Sequence, residues 1–143
     1  MTLEGFENLP GIPLAEGSEI ITLAQNAELV SILGDHWLDR DCLHPLWGYI
    51  GAQTGISTSI DELCRFADFS VDEGPMMGSI DLEFHGQLRP EVRYSVRGEI
   101  VDLERKQGRS GTFDLLTYRE RLVDDSGEIV VLATNTFVLP RNS

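Results

Sequence analysis

The feature that most constrains the fold is one long stretch of alternating apolar and polar residues. It covers residues 91–105 (EVRYSVRGEIVDLER), and beside Gly98 the alternation slips by one position, so that Val101 and Leu103 become the apolar residues. Before the slip the apolar positions are Val92, Tyr94, Val96 and Ile100. A period of two predicts a strand, and the slip predicts a bulge. A strand of that length would span about 50 Å, too long for a flat sheet in so small a domain, so we expect it to curl.

Further strands are predicted on both sides of this stretch. Residues 78–85 alternate in the same way, and residues 111–123 and 128–140 form two more long segments joined by the turn sequence DDSG. Strands joined by a short turn run antiparallel. Residues 18–23 (SEIITL) are predicted to form a short first strand.

Two helices are indicated by capping patterns. Residues 24–33 follow a Thr22-x-x-Gln25 capping box and stop at Gly34, and residues 60–69 open with a second box, Ser59-x-x-Glu62. The residues expected to face inward are Leu29, Val30 and Leu33 in the first helix, and Ile60, Leu63, Cys64 and Ala67 in the second.

A third helix is predicted from Pro45 onward, and it carries a face of small residues. Gly48, Gly51, Ala52 and Gly55 recur at helical spacing. Each glycine lowers helix stability by about 1 kcal/mol relative to alanine, so something must approach this face closely. A curled antiparallel sheet wrapped around one central helix satisfies the whole pattern, which is an α+β fold in a single domain spanning residues 1–143. Residues 1–17, rich in Gly, Pro and Glu, are expected to form an extended arm.

The charge of the chain argues against two classes of binding partner. The formal net charge is −13 at pH 7, which repels nucleic acid and anionic membranes, so we expect neither as a partner. There is no apolar run of about 18 residues and no visible signal peptide. The two cysteines, Cys42 and Cys64, are too far apart in sequence for a C-x-x-C pair. Two scattered thiols favour a reducing, cytoplasmic location.

Three stretches resemble the MaoC-like hydratases and dehydratases, which have the hot-dog fold. Residues 20–35 (IITLAQNAELVSILGD) resemble the opening strand and helix of that family, and residues 135–141 (NTFVLPR) resemble a closing strand. The family signature is Asp-x-Asn-Pro-x-His. Asp39 and His44 keep its Asp-to-His spacing, although the Asn-Pro is missing. In a rival alignment Asp35, which follows Gly34, is the carboxylate.

The resemblance implies a hydratase or dehydratase acting on enoyl or 3-hydroxyacyl thioesters. An Asp and a His placed on either side of one water can divide the work of activating it and protonating the α-carbon. Backbone N–H groups at a helix start can stabilise the charge that develops on the thioester oxygen. The expected catalytic residues are His44 with Asp39 or Asp35, and the expected substrate-binding residues are Gly48, Gly51 and Trp47.

Each of these roles has a structural alternative. A histidine just before a helix is often a cap or a surface residue, and Trp47 fits a core or interface aromatic as well as an acyl pocket. Arg105, Lys106 and Arg109 are expected to hold the phosphates of coenzyme A, and the alternative is an ordinary solvated hairpin. No metal site is expected, and no cofactor apart from coenzyme A as part of the substrate.

Other activities remain open at the level of sequence. The alternatives are a hot-dog acyl-CoA thioesterase and a non-catalytic structural or acyl-binding subunit of a hetero-oligomeric hydratase. The substrate would be a thioester of coenzyme A or of acyl carrier protein. Because a curled sheet leaves an open edge, we expect a homodimer or higher oligomer, or a hetero-oligomer with a related subunit.

Overall fold

The computed structural model describes residues 11–34 and 41–141. In these ranges three helices and five strands follow the predicted order. The helices are α1 (Leu23–Leu33), α2 (Trp47–Gly55) and α3 (Ile60–Phe66), and a short 3-10 turn covers Val71–Glu73. The strands are β1 (Gly17–Ile20), β2 (Met76–Phe84), β3 (Arg93–Gly108), β4 (Gly111–Val123) and β5 (Ile129–Arg141).

All five strands form one antiparallel sheet in the order β1-β3-β4-β5-β2. The predicted bulge in the long strand is confirmed. The register between β3 and β4 shifts between Ile100 and Asp102, so that Val101 is the extra residue. Ile100 and Leu103 are buried on the two sides of the bulge, whereas Val101 is only half-buried. One extra residue therefore bends the strand and keeps its apolar side facing inward.

The chain ahead of β1 lies along β3. Gly11 N–H donates to the Ile100 carbonyl at 2.7 Å, and Leu14 N–H donates to the Gly98 carbonyl at 2.8 Å. Leu14 is buried, and its side chain lies against the space beside Gly98. This segment thus continues the pairing along the edge of β3 before β1 begins.

Helix α2 crosses the inner face of the sheet, and its glycines make the contact. A Cβ at Gly48 would lie 3.1 Å from Val131 on β5, and a Cβ at Gly55 would lie 2.5 Å from Val96 on β3. Gly51, between them, faces Leu122 on β4. The expectation that a sheet presses on the small face of this helix is therefore confirmed.

The three sheet residues beneath α2 form one cross-strand row. Leu122 is paired with Val131 on one side and with Val96 on the other, and all three are fully buried. Along this row α2 therefore spans β5, β4 and β3 at close range. Such close contact stabilises the fold by dispersion attraction, and it is possible only because this helix face carries no large side chains.

The caps of α1 and α3 form as predicted. Both capping boxes are present, and Gly34 ends α1 with φ of 67°, a left-handed conformation that favours glycine. The predicted inward faces need correction. Leu33 and Ile60 are each 45% exposed, because both helices lie at the margin of the sheet rather than over its centre. In α1 the buried residue is Asn26.

Among the described residues, no helix combines the length and the apolar character needed to cross a bilayer.

Substituting Gly55 by Ala is expected to lower the free energy of unfolding, although alanine favours helix formation. The new Cβ would lie 2.5 Å from Val96 Cγ2 and 3.0 Å from Glu19 Cβ, so backbone or core atoms must shift. Overpacking a tight core costs about 1–3 kcal/mol. Equilibrium urea denaturation measures the change.

Gly51→Ala is the matched control on the same helix face. Its Cβ would meet the end of the Ile21 side chain at 3.3 Å, which can adjust. We expect a smaller loss than for Gly55→Ala. Equal stability of Gly55→Ala and the parent would contradict the proposed close contact between α2 and β3.

Candidate functional site

The backbone of His44 is anchored between two parts of the fold. His44 N–H donates to the side-chain oxygen of Asn26, the buried residue of α1, at 2.9 Å. The preceding residue, Leu43, is buried, and its N–H donates to the Leu88 carbonyl at 2.7 Å. Helix α1 therefore holds His44 directly ahead of α2, with the side chain half-buried.

The imidazole of His44 has a defined orientation. Leu46 N–H donates to His44 Nδ1 at 3.1 Å. An acceptor nitrogen cannot carry a proton, so this hydrogen bond assigns the neutral tautomer with its proton on Nε2. In this tautomer Nε2–H is a hydrogen-bond donor, and the proton-accepting nitrogen, Nδ1, faces the Leu46 amide. This is the geometry of a histidine that orients a water or of one that caps a turn.

The predicted carboxylate partners, Asp39 and Asp35, lie outside the described residues. Their pairing with His44 stays a prediction. Asp41 lies within the described part of the chain and is exposed.

The first amides of α2 do not have the arrangement expected for an oxyanion site. Trp47 N–H donates to the His44 carbonyl at 3.0 Å, and Gly48 N–H donates to the Pro45 carbonyl at 2.9 Å. Tyr49 N–H and Leu46 N–H are also bonded within the chain. Since these four donors already have acceptors, a thioester oxygen would have to compete for them or use another donor.

The predicted substrate-binding residues lie on or beside the packed side of α2. Gly48 and Gly51 face sheet side chains, as described above. Trp47 is half-buried and packs against the core. Its indole Nε1 is buried and has no hydrogen-bond partner in the part of the chain that the structure describes. An unpaired buried donor is rare in native proteins and is a feature of sites that bind a polar group. Substrate contact by these three residues stays a prediction.

Cys42 is a buried thiol rather than an exposed nucleophile. Its side chain is 5% exposed, and Sγ donates to the side-chain oxygen of Gln87 at 3.0 Å. This contact attaches the loop before α2 to the segment that follows β2.

The predicted phosphate cluster is divided between different surfaces. Arg105 turns to the buried Asp114, with Nε 2.8 Å from Oδ1. Lys106, on the opposite face of β3, lies 3.5 Å from Glu104, and Arg109 is exposed in the β3–β4 turn. Arg105 is thus not positioned beside Lys106 on one surface. Binding of coenzyme A by these residues stays a prediction.

Asp114 is the centre of an ion-pair network that the sequence did not indicate. Its second oxygen accepts from Arg141 Nε at 2.8 Å, and the Arg141 guanidinium also donates to the carbonyls of Ala67 and Asp68 just after α3. Burial alone would raise the pKa of Asp114, but hydrogen bonds from Arg105 and Arg141 outweigh burial and lower it. The network attaches the end of β5 to the end of α3.

Comparison with known proteins identifies the architecture. No protein-family model and no curated protein matches the chain. Among solved structures, the C-terminally truncated HadBC complex of Mycobacterium tuberculosis, a 3R-hydroxyacyl-ACP dehydratase, is similar with a TM-score of 0.69 and 17% identity, over 92% of this chain and 97% of that one. The chain has the hot-dog fold.

Two further hot-dog structures bear on the resemblance seen in the sequence. R-hydratase PhaJ1 from Pseudomonas aeruginosa has a TM-score of 0.61 at 14% identity, covering 93% of this chain and 83% of that one. A protein described as a MaoC-like dehydratase has a TM-score of 0.67 at 16% identity, covering 93% of this chain and 42% of that one. The resemblance to MaoC-like hot-dog proteins is therefore confirmed at the level of the fold.

Substituting Asp114 by Asn should destabilise this hot-dog domain. It removes the carboxylate shared by two arginines whose side chains are 22% and 17% exposed. Because the guanidinium groups keep some contact with water, we expect about 3 kcal/mol, the lower end of the range for breaking a buried pair. Urea denaturation at neutral pH measures the loss.

The pH dependence and a control make this prediction specific. The lowered pKa means that the stabilisation by Asp114 is full above its ordinary value of 3.8 and is lost as pH falls through the folded-state pKa. The difference between parent and variant should therefore shrink in acid. Asp61→Asn, which removes an exposed ion pair with Arg65, should cost less than about 1 kcal/mol. Similar losses for both variants would contradict a central role for Asp114.

Proposed function

We propose that this chain is a hydratase or dehydratase that acts on enoyl or 3-hydroxyacyl thioesters. The observation that carries the proposal is the placement of His44 directly ahead of the central helix. Its backbone is fixed by Asn26, and its imidazole is oriented by Leu46. Similarity to a dehydratase and an R-hydratase supports this class of reaction.

In the proposed reaction, water adds across the carbon–carbon double bond of an enoyl thioester. His44 Nε2 and the carboxylate of Asp39 or Asp35 hold the water between them. The carboxylate takes a proton from the water as the water oxygen bonds to the β-carbon, and His44 Nε2–H donates a hydrogen bond to that oxygen. The protonated carboxyl group then gives the same proton to the α-carbon, so that both residues return to their starting state. Between these events the negative charge lies on the thioester oxygen, where a hydrogen-bond donor lowers its energy.

The indole N–H of Trp47 is our candidate for that donor. The amides of residues 46–49 already have acceptors, whereas Trp47 Nε1 has none. Trp47 is also one helical turn from His44, which places donor and acid–base group on the same end of α2. Because Nε1 is buried, the thioester carbonyl would have to enter the interior beside the helix.

Replacing His44 by Asn separates the chemical role from the structural one. An asparagine side chain can accept a hydrogen bond from the N–H two residues later, so the bond to Leu46 is kept. Its amide is shorter than the imidazole and cannot place a donor where Nε2–H lies. We expect His44→Asn to keep its stability and to lose about 100- to 10,000-fold in hydration rate.

The assay follows the loss of the conjugated absorbance of crotonyl-CoA and of a longer enoyl-CoA. Detection of free thiol in the same sample distinguishes hydration from thioester hydrolysis, which would favour the thioesterase alternative. His85→Asn, at an exposed histidine beside Glu83, is the matched control and should keep the parent rate. An active His44→Asn variant would show that His44 only caps the turn.

A second candidate function is that of a non-catalytic subunit. The similar dehydratase structure is described as a complex, HadBC, and here the Asn-Pro of the family signature is absent. In that case the chain would be inactive alone, and rate would appear only after a related subunit is added. The His44→Asn substitution would then leave the rate of the mixed complex unchanged.

We further propose that β2 is the surface on which two hot-dog subunits meet. β2 pairs with β5 along one edge, and in the described part of the chain no strand covers its other edge. Its exposed apolar side chains are Met76, Ile80 and Phe84, which are 54%, 43% and 43% exposed. An uncovered edge with apolar side chains favours pairing with another chain.

Ile80→Lys should convert the oligomer to a monomer, because it places a charge on this edge. Sedimentation velocity at micromolar concentration measures the mass of the species in solution. Ile32→Lys, at an isoleucine of α1 that is 75% exposed, is the matched control and should leave the oligomer intact. Dissociation by the Ile32 variant alone would place the interface on α1 instead.

A further inference from the structure

A buried carboxyl group lies on the inner face of the sheet, next to the row that contacts α2. Glu120 on β4 is fully buried and is paired with Gly98 on β3 and Ala133 on β5. Because both neighbours are small, the space for the carboxyl group is provided by the sheet itself. Leu14 lies beside Gly98 and helps to separate this row from solvent.

The hydrogen bonds of Glu120 are incomplete as long as it is a carboxylate. Asn135 Nδ2 donates to Glu120 Oε1 at 3.1 Å, and Asn135 is also fully buried. Among the described residues, the second carboxyl oxygen, Glu120 Oε2, has no hydrogen-bond partner, and neither does the side-chain oxygen Oδ1 of Asn135. Two acceptors thus remain unpaired in one pair of side chains, and a buried unpaired polar atom costs free energy.

A single proton would satisfy both atoms. A protonated carboxyl group gains one O–H donor, and a carboxylic acid facing an amide can form two hydrogen bonds in a closed ring. We propose that Glu120 is a neutral acid in the folded protein, with Oε2 donating to Asn135 Oδ1, so that its ionisation is linked to opening of the core beneath α2.

The surrounding groups favour the neutral form. No arginine, lysine or histidine of the described residues forms a hydrogen bond or ion pair with Glu120. Gly98 on β3 and Ala133 on β5 do not titrate. The titratable groups nearby are Tyr118 on β4, with Tyr49 on α2 and Cys64 on α3 close to Tyr118. None of the three is positively charged in any protonation state, so none offers an opposite charge to a carboxylate.

The pKa of Glu120 is shifted in the direction that its burial and its unpaired oxygen imply. Burial raises the pKa of Glu120 to about 7, and the hydrogen bond from Asn135 offsets only part of that effect. The same environment raises the pKa of Tyr118, first through burial and then, against a hydrogen bond from Gln53, through the nearby Glu120. Gln53 belongs to α2 and donates to the Tyr118 hydroxyl, so Tyr118 is linked to the helix directly.

The direction in which stability changes with pH follows from the difference in proton affinity of Glu120 between the folded and unfolded states. A group whose pKa is higher in the folded state binds its proton more tightly there than in the unfolded chain. The stabilisation is therefore full below the ordinary glutamate value of 4.5 and is lost as pH rises to about 7. Across that window the ratio of folded to unfolded protein should fall by up to tenfold per pH unit from this group alone.

The test compares the parent with Glu120→Gln in urea denaturation at several pH values from 5 to 8. Glutamine is close in shape, donates to Asn135 Oδ1 and accepts from Nδ2, but does not titrate. We expect the two proteins to have similar stability at the acid end, the variant to become steadily more stable than the parent as pH rises to about 7, and the difference to stay constant above that pH. Glu128→Gln, at an exposed turn residue, is the matched control and should follow the parent throughout.

A direct measurement on the unmodified protein completes the experiment. The side-chain carboxyl carbon of Glu120 should titrate near neutral pH in carbon-detected NMR, well above the ordinary glutamate value of 4.5. Titration at an ordinary glutamate value would overturn the proposal, and so would parallel pH profiles for the parent and Glu120→Gln. Neither measurement depends on catalysis, so the outcome is independent of the proposed hydratase activity.

Discussion

The contact between the glycine face of α2 and the curled sheet is the constraint on which the rest of the structure depends. At Gly55 no side chain fits, because even a Cβ would lie 2.5 Å from Val96. The helix can approach this closely only if the sheet bends around it, and the bulge at Val101 supplies part of that bend. The position of α2 in turn fixes where its first turn begins, and hence where His44 stands. The close packing of α2 against the sheet therefore also positions the candidate site.

Two buried acids on the same strand show how local surroundings decide charge state. Asp114 faces two guanidinium groups, and its pKa is lowered although the residue has no exposure. Glu120, six positions further along β4 and equally buried, faces only an amide, and its pKa is raised. Burial penalises ionisation at both positions, so the difference comes from the partners alone. Asp114 stabilises the fold in its charged form, whereas the site of Glu120 favours the neutral form.

Local patterns in the sequence were sufficient for the secondary structure and for the architecture. The two capping boxes, the stop at Gly34, the bulge and the small face of α2 each follow from a rule that acts within a few residues. Contacts between distant residues were not predictable in this way. Helical periodicity placed Ile60 and Leu33 inside, but it cannot show that a helix lies at the margin of the sheet.

In the candidate site, too, local features were predictable from the sequence and long-range contacts were not. The sequence placed His44 at the start of a central helix, and it is there. It did not indicate that Asn26 anchors the His44 backbone, although a polar residue on the inner side of a short helix was a visible signal. Arg105 was grouped with Lys106 because the two are adjacent in sequence. Its side chain instead turns to Asp114, since successive residues of a strand face opposite sides.

The attachment of Arg141 to the carbonyl groups after α3 also matters for the order of folding. The two ends of this contact are 74 positions apart in the chain. While the protein is being synthesised, α3 leaves the ribosome long before its partner arginine does. Until β5 emerges, the glycine face of α2 also lacks part of the sheet that it packs against. The core of the nascent domain should therefore close only once its last strand is available.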